Sequence, residues 1–457
     1  MDDKRLQETN LSSSSDYNPN HERNVAVHTA PLTEVPKGRW ERTWPTIACG
    51  AGLFSDGYLN GVIGSVSTML ALIYGDEYTK SSAKSAIPSI AFAGTVVGHL
   101  FFGVLSDHWS RRNSLLISTL RSVGAAESTG ELKSGHRNRW FIFATDFQID
   151  LGFVVSAFVP MIVVLATGEN HLRAAWRICL ALGAIPPLSL LYLRIKLREP
   201  EQFRRNKMNR FPILLIVKFY WWRLTVISII WFLYNFSAYS FGIFASTWLV
   251  FILPTDAPLW KNFGMACAIN SFWLPGSFLG AFLSDWIGPK WCLIWGVLLQ
   301  GIVGFAMTGA YSQLDEPSRV AGFIILTGVF MALGEVGPGD NIGLLASKLS
   351  STPIRGQFYG IAAAWGKVGA FIGTYIFPLL IDDAGTDIVK QGQYPFWVSS
   401  SLCIFSAIVA FVGLPKVGQD MIEVEDERFK RYLEENGYDT SSFGTKDFRE
   451  ELGVAMN

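Results

Sequence analysis

Apolar windows long enough to cross a bilayer recur along this chain, separated by short polar intervals. They cover residues 46–74, 86–105, 140–166 and 176–197, then, after a basic stretch, 223–253, 264–283, 291–311, 321–346, 358–381 and 396–414. A hydrocarbon core of about 30 Å takes about 20 apolar residues in helical form, and these windows have that length. A large water-soluble core would show shorter, amphipathic periods instead. The pattern therefore predicts an all-α membrane protein. An N-terminal helical bundle is expected over 44–197, a cytoplasmic linker over 198–222 and a six-helix C-terminal bundle over 223–414. The polar ends, 1–43 and 415–457, read as cytoplasmic tails, the first disordered and the second carrying a short surface helix over 420–436.

Cation placement orients the windows, because short loops rich in Lys and Arg stay on the cytoplasmic side. Arg111, Arg112, Lys133, Arg137 and Arg139 crowd one interval, and Arg194 to Arg210 fill the linker. Lys290, Lys348 and Arg355 mark later loops. Cation-poor intervals alternate with these, so both termini are expected inside, with ten complete spans between them, four before the linker and six after it. The interval 111–139 breaks the symmetry. Its apolar piece, 114–120, is about a third of the length a crossing needs. Basic residues flank it on both sides, so an even number of crossings is expected to be missing, at the place of the third and fourth spans of a six-plus-six plan.

Composition narrows the function. Charged residues make up 17% of the chain and avoid the apolar windows, while 38 basic residues balance 38 acidic ones, which gives no sign of a nucleic-acid partner. The five cysteines lie in or beside apolar windows, where a free thiol behaves as a small hydrophobe. No phosphate loop, metal-ligand cluster or nucleophile motif is present, so the reading is a transporter without cofactor or metal rather than an enzyme.

Two similar stretches follow the second window of each half. The first is Gly103-Val-Leu-Ser-Asp107-His-Trp-Ser-Arg111-Arg112, the second Gly280-Ala-Phe-Leu-Ser-Asp285-Trp-Ile-Gly288-Pro-Lys290. Each offers a small residue for close helix approach and an Asp with basic residues after it, a pattern suited to a charge-assisted lock between helices. The pair resembles the signature loop of the major facilitator superfamily, whose fold is two helical bundles. Phe54-Ser-Asp56-Gly-Tyr58, Trp176-Arg177 with Gly183-Ala-Ile-Pro186, and Arg355-Gly-Gln-Phe-Tyr-Gly360 continuing to Gly366-Lys367 resemble its phosphate:proton symporter branch. The stretch from Ala125-Ala-Glu127 through Gly130-Glu131 to Trp140 is similar to fungal glycerophosphodiester permeases. The resemblance implies proton-coupled import of glycerophosphoinositol or glycerophosphocholine by a plasma-membrane monomer, with alternating access. It also implies a Gly-rich fourth span with an acid and a Tyr, which this chain lacks. An inorganic phosphate or polyol symporter, or a non-transporting sensor or inactive paralogue, stays open as an alternative.

An ionisable group deep in a membrane helix is a functional candidate by default. Asp56, with Asn60 and Gly57 beside it, suits a proton-coupling site, and the resemblance gives it that role. Lys367 sits among Gly366, Gly369 and Ala364, which leave room for a substrate. Its ammonium needs an anion, either a substrate phosphate or a permanent partner such as Glu335 or Asp340. Trp231, Asn235 and Tyr239 recur every four residues and so share one helical face, a plausible cavity wall. Phosphate symporters carry Trp, Asp and Tyr there, and the change of Asp to Asn suits a diester with one negative charge fewer. Asp150, four residues from Asp146, is a second proton-site candidate. His99 is a possible proton relay. Gly334 to Asn341, with Pro338, three glycines, Glu335 and Asp340, predicts a broken helix that exposes backbone to a cavity. Asn341 stands in there for the substrate-binding Asn of the symporters, whose place Gly339 takes.

Overall fold

The structure, a computed structural model, describes residues 39–108, 135–185, 201–208, 210–252, 257–314, 320–385, 387–441 and 443–444. Helices build it, as lipid demands of a backbone that must satisfy its own hydrogen bonds. The chain forms α1 (Arg39–Tyr74), α2 (Ala83–His108), α3 (Arg137–Ala144), α4 (Asp146–Thr167), α5 (Leu172–Leu182) and α6 (Ile213–Ile252). It continues with α7 (Leu259–Ser271), α8 (Trp273–Trp286), α9 (Pro289–Leu314), α10 (Val320–Gly334), α11 (Asp340–Lys348), α12 (Arg355–Asp383), α13 (Ile388–Gly413) and the surface helix α14 (Met421–Glu435).

Among the described residues nine segments are long and apolar enough to cross a membrane. Three of them combine two helices across a break: α3 with α4, α7 with α8, and α10 with α11. The window expected over 176–197 is described only as far as residue 185, and its helix there is α5. The anomalous interval lies mostly outside the described residues. Its flanks, however, are on one face: Asp107 at the end of α2 meets the start of α12, and Arg137 at the start of α3 pairs with Asp420 before α14, at 2.7 Å. That face also carries the helix Glu201–Asn206 and α14, joined by a bond from Asn206 to Asp426, and is called the linker face below.

Why α2 packs on α12 is visible in two glycines. A methyl group on Gly103 would sit 2.8 Å from the Gly356 carbonyl oxygen, and one on Gly360 2.6 Å from that of His99. Only the missing side chains let the two backbones meet, the device small residues serve in membrane helices, where lipid supplies no hydrophobic push. The outward faces stay apolar and exposed, with Val97, Phe101, Leu214, Phe282, Trp286 and Phe411 turned to where lipid tails would lie.

The break between α10 and α11 is a single wide turn, Glu335–Gly339, with Gly337 at φ −84° and ψ −111° and Pro338 unable to donate. Asn341 repairs it. Its amide donates to the carbonyls of Val336, at 3.0 Å, and Gly337, at 2.8 Å, while its oxygen accepts from the Ser284 hydroxyl at 2.7 Å. The expectation that Asn341 faces substrate is corrected by this geometry: its polar atoms are occupied in holding the broken helix.

Candidate functional site

Between the two halves lies a small cavity of about 90 Å³. Asp56 from α1, Asp150 from α4, Trp231, Asn235 and Tyr239 from α6 and Lys367 from α12 all line it. The i, i+4 spacing on α6 thus turns three residues toward one space. Phe153, Tyr234, Trp273, Glu335 and Tyr359 complete much of the wall. Trp231 meets Tyr359 edge-on at 5.2 Å, and Phe153 meets Trp273 at 4.7 Å.

One end of the cavity is built on an ion pair. The Lys367 ammonium lies 3.5 Å from an Asp56 carboxylate oxygen and donates to the Tyr239 hydroxyl. It also sits 4.1 Å from the centre of the Tyr239 ring and 5.6 Å from that of Phe92. Asn60, one turn along α1, donates 3.0 Å to the other oxygen of Asp56 and fixes its rotamer. The carboxylates of the broken helix, Glu335 and Asp340, are not its ion-pair partners: Lys367 is held by Asp56, an acid from the other half of the chain. His99 lines the cavity too, and its Nδ1 has no hydrogen-bond partner among the described residues.

The other end is acidic. Tyr234 donates to Glu335 at 2.6 Å, Ser277 of α8 donates to Asp150, and Thr145 donates to Asp146 at 3.1 Å. Tyr234 was not singled out from sequence, although it lies three residues from Trp231 and shares its face. Phe153, Trp273 and Tyr359 carried no distinguishing signal, being aromatic residues in apolar helices like many others here.

The signature-loop residues work at the linker face. Asp107 accepts from the backbone N–H groups of Gly356, at 3.0 Å, and Gln357, at 2.7 Å, so it caps the start of α12. Arg111 and Arg112 lie outside the described residues. Asp285 and Lys290 do not pair with each other. Asp285 lies 3.4 Å from the Arg139 guanidinium of the first half and accepts from Gln419 at 2.9 Å. Lys290 donates to the last carbonyls of α13, those of Phe411 and Leu414, as cations near a helix C-terminus do. Lys348 adds bonds to Asn138 and to the Gly418 and Gln419 carbonyls, so this face is held closed between the halves. Glu425 of α14 lies in the same layer, bonded to Arg223 at 2.6 Å and to Tyr220 at 3.0 Å, and burial pushes its carboxyl above the usual range.

The sequence pattern of the family described as "Sugar (and other) transporter" matches residues 44–145 and 201–427. The glycerophosphodiester transporter GIT2 of Candida albicans is 46% identical, over 90% of this chain and 86% of its own length. The glycerophosphocholine permease GIT4 of the same organism is 44% identical over 88% and 84%. Among solved structures, the proton:xylose symporter XylE bound to a bromodeoxyglucose superposes with a TM-score of 0.68 at 16% identity, covering 84% of this chain and 98% of that one.

Proposed function

The chain belongs to the sugar (and other) transporter family, within the major facilitator superfamily, and from that membership we propose that it is a proton-coupled importer of glycerophosphodiesters. The substrates are glycerophosphocholine or glycerophosphoinositol, moved across the plasma membrane by alternating access, with the linker face in the cytoplasm. It is a permease and not an enzyme.

The observation that carries this reading is the Asp56–Lys367 pair inside the inter-half cavity. A buried ammonium left without an anion is strongly disfavoured. Two loading states satisfy Lys367: ionised Asp56 with no substrate, or protonated Asp56 with a phosphate group in its place. A proton without substrate, or substrate without a proton, leaves one buried charge unmatched. That rule ties the two together, which is what symport requires.

Asn235 supports a diester over inorganic phosphate. A phosphodiester has no P–OH and can only accept hydrogen bonds, whereas the monoanion of inorganic phosphate also donates. An amide N–H suits the first, and a carboxylate would suit the second. The aromatic and acidic end of the cavity is left for the glycerol and head group. Rocking of the halves then requires the linker-face bonds of Asp107, Asp285 and Lys348 to part.

The test is uptake of labelled glycerophosphocholine, glycerophosphoinositol and inorganic phosphate by purified protein in vesicles, with and without a pH gradient. Diester accumulation above its outside concentration that is lost when the gradient is removed supports the proposal. Diester binding with no flux would instead identify a sensor, and uptake of phosphate alone would reassign the substrate.

A further inference from the structure

The symport scheme uses Asp56 and gives no role to the buried acids Asp150, Glu335 and Asp340. Asp340, the first residue of α11, is 0% exposed, and neither of its carboxylate oxygens has a hydrogen-bond partner among the described residues. Space has been cleared for it: a methyl group on Gly280 of α8 would collide with its Oδ2. Gly339 does the same for Glu335, where a methyl group would meet Oε2 and the Tyr234 hydroxyl. Two glycines thus make room for two carboxyl groups on either side of the wide turn between α10 and α11.

On this side of the cavity stand Glu335 from the turn and Asp146 and Asp150 from α4, and the Cys292 thiol of α9 donates to the Val336 carbonyl at 3.1 Å, one turn before Asp340. Lys348, the basic group of its own helix, is engaged at the linker face by Asn138, Gly418 and Gln419. Arg139 of α3 faces Asp285 and Arg137 faces Asp420. From α6 and α12 the ionisable groups near this region are the phenols of Tyr234, bonded to Glu335, and Tyr359, against Gly343, with two cations turned to other partners: Lys367 to Asp56, and Arg355 to the Ser347 carbonyl at 3.0 Å. The acids of α14 are turned to other partners, Glu425 to Arg223 and Asp426 to Ser351 and Thr352. A buried carboxyl group with no hydrogen-bond donor among the described residues is strongly disfavoured in its ionised form at this depth.

Its position gives the proton a direction. Glu335 opens on the cavity. Asp340 lies beyond it along the chain, next to Asn341, which is bonded to Ser284 near the end of α8, and Lys348 at the far end of α11 is already at the linker face. We propose that Asp340 is a second proton-carrying site of the transporter, exchanging with the cavity through Glu335 and with the linker face when the halves part there. The step is one proton moved between carboxyl oxygens, an O–H bond broken at Glu335 and one formed at Asp340. This inference rests on the symport reading above.

The experiment is the proton-to-substrate ratio of the purified protein in vesicles, read from an internal pH dye and labelled glycerophosphocholine, for the wild type and for Asp340→Asn. The amide mimics the neutral acid but carries no exchangeable proton. The ratio is expected to fall by about half, which for one pH unit across the membrane lowers the limiting accumulation about tenfold. An unchanged ratio overturns the assignment. Infrared difference spectroscopy of the wild type supplies a readout independent of flux and of how well the variant folds. A carbonyl stretch from a protonated carboxyl that shifts in Asp340→Glu is expected, and its absence in the wild type overturns the proposal. Wild-type protein that moves no diester at all would instead defeat the functional reading, and the infrared band would still decide the state of Asp340.

Discussion

Replacing Asp56 by Asn removes the anion that holds Lys367 and leaves everything else near its place, since Asn keeps the shape and the bond to Asn60 needs only an oxygen. The two charges lie 3.5 Å apart with side chains 15% and 8% exposed. At an effective dielectric of about 20 they attract by about 5 kcal/mol. Measurements on buried pairs put the cost of removing one partner at about 3–5 kcal/mol, because the other charge stays behind unpaired. The expected result is a loss of about that size in the thermal stability of the purified protein. Substrate should restore much of it, because a phosphodiester is the replacement anion, and ligand at a hundredfold excess over its Kd returns about 2.7 kcal/mol. The double variant Asp56→Asn with Lys367→Met, which leaves no orphan charge, should be more stable than Asp56→Asn alone. The assay is thermal unfolding across this four-member cycle, with and without glycerophosphocholine. A double variant no more stable than Asp56→Asn, or an Asp56→Asn protein as stable as the wild type, refutes the pairing as the organising feature of the site.

Other consequences are open to direct measurement. Asn235→Asp places a carboxylate where the diester needs a donor, so glycerophosphocholine binding should weaken by about 1.5–3 kcal/mol and inorganic phosphate should compete better; competition binding that leaves the order of the two ligands unchanged contradicts the donor argument. Gly103→Val drives a branched side chain against the Gly356 carbonyl, and overpacking of about 1–3 kcal/mol should appear as a lower melting temperature; a neutral outcome means α2 and α12 are not in close contact. Arg139→Ala unties Asp285 at the linker face and should raise the accessibility of that end of the cavity, read as faster maleimide labelling of a cysteine introduced at Asn138; labelling no faster than in the parent shows that the bridge does not hold the gate.

Much of this architecture was legible from periodicity. A long apolar window has one folded outcome in lipid, so the spans, the broken helix at Pro338 and the shared face of Trp231, Asn235 and Tyr239 all followed from the chain alone. Which helix meets which did not follow. The small residues around Lys367 say that it has room inside the bundle, but its partner Asp56 is far away in sequence on a different bundle, and the acids nearest in sequence, Glu335 and Asp340, were the natural candidates. Asn341 shows the same limit from the other side. A polar residue beside a helix break serves either a ligand or the freed carbonyls, and only coordinates reveal that Val336 and Gly337 occupy it. Asp285 and Lys290 looked like one local unit and instead bind separate helices, because five residues along a helix end point in different directions.

The account turns on a proton and a phosphodiester occupying one site together. Vesicles holding the purified protein, with equal pH inside and out, should acidify internally when glycerophosphocholine is added outside, as each substrate carries protons inward. The same addition to Asp56→Asn vesicles should leave the internal pH unchanged. Uptake of the diester by the wild type with no acidification, or acidification undiminished in Asp56→Asn, would contradict it.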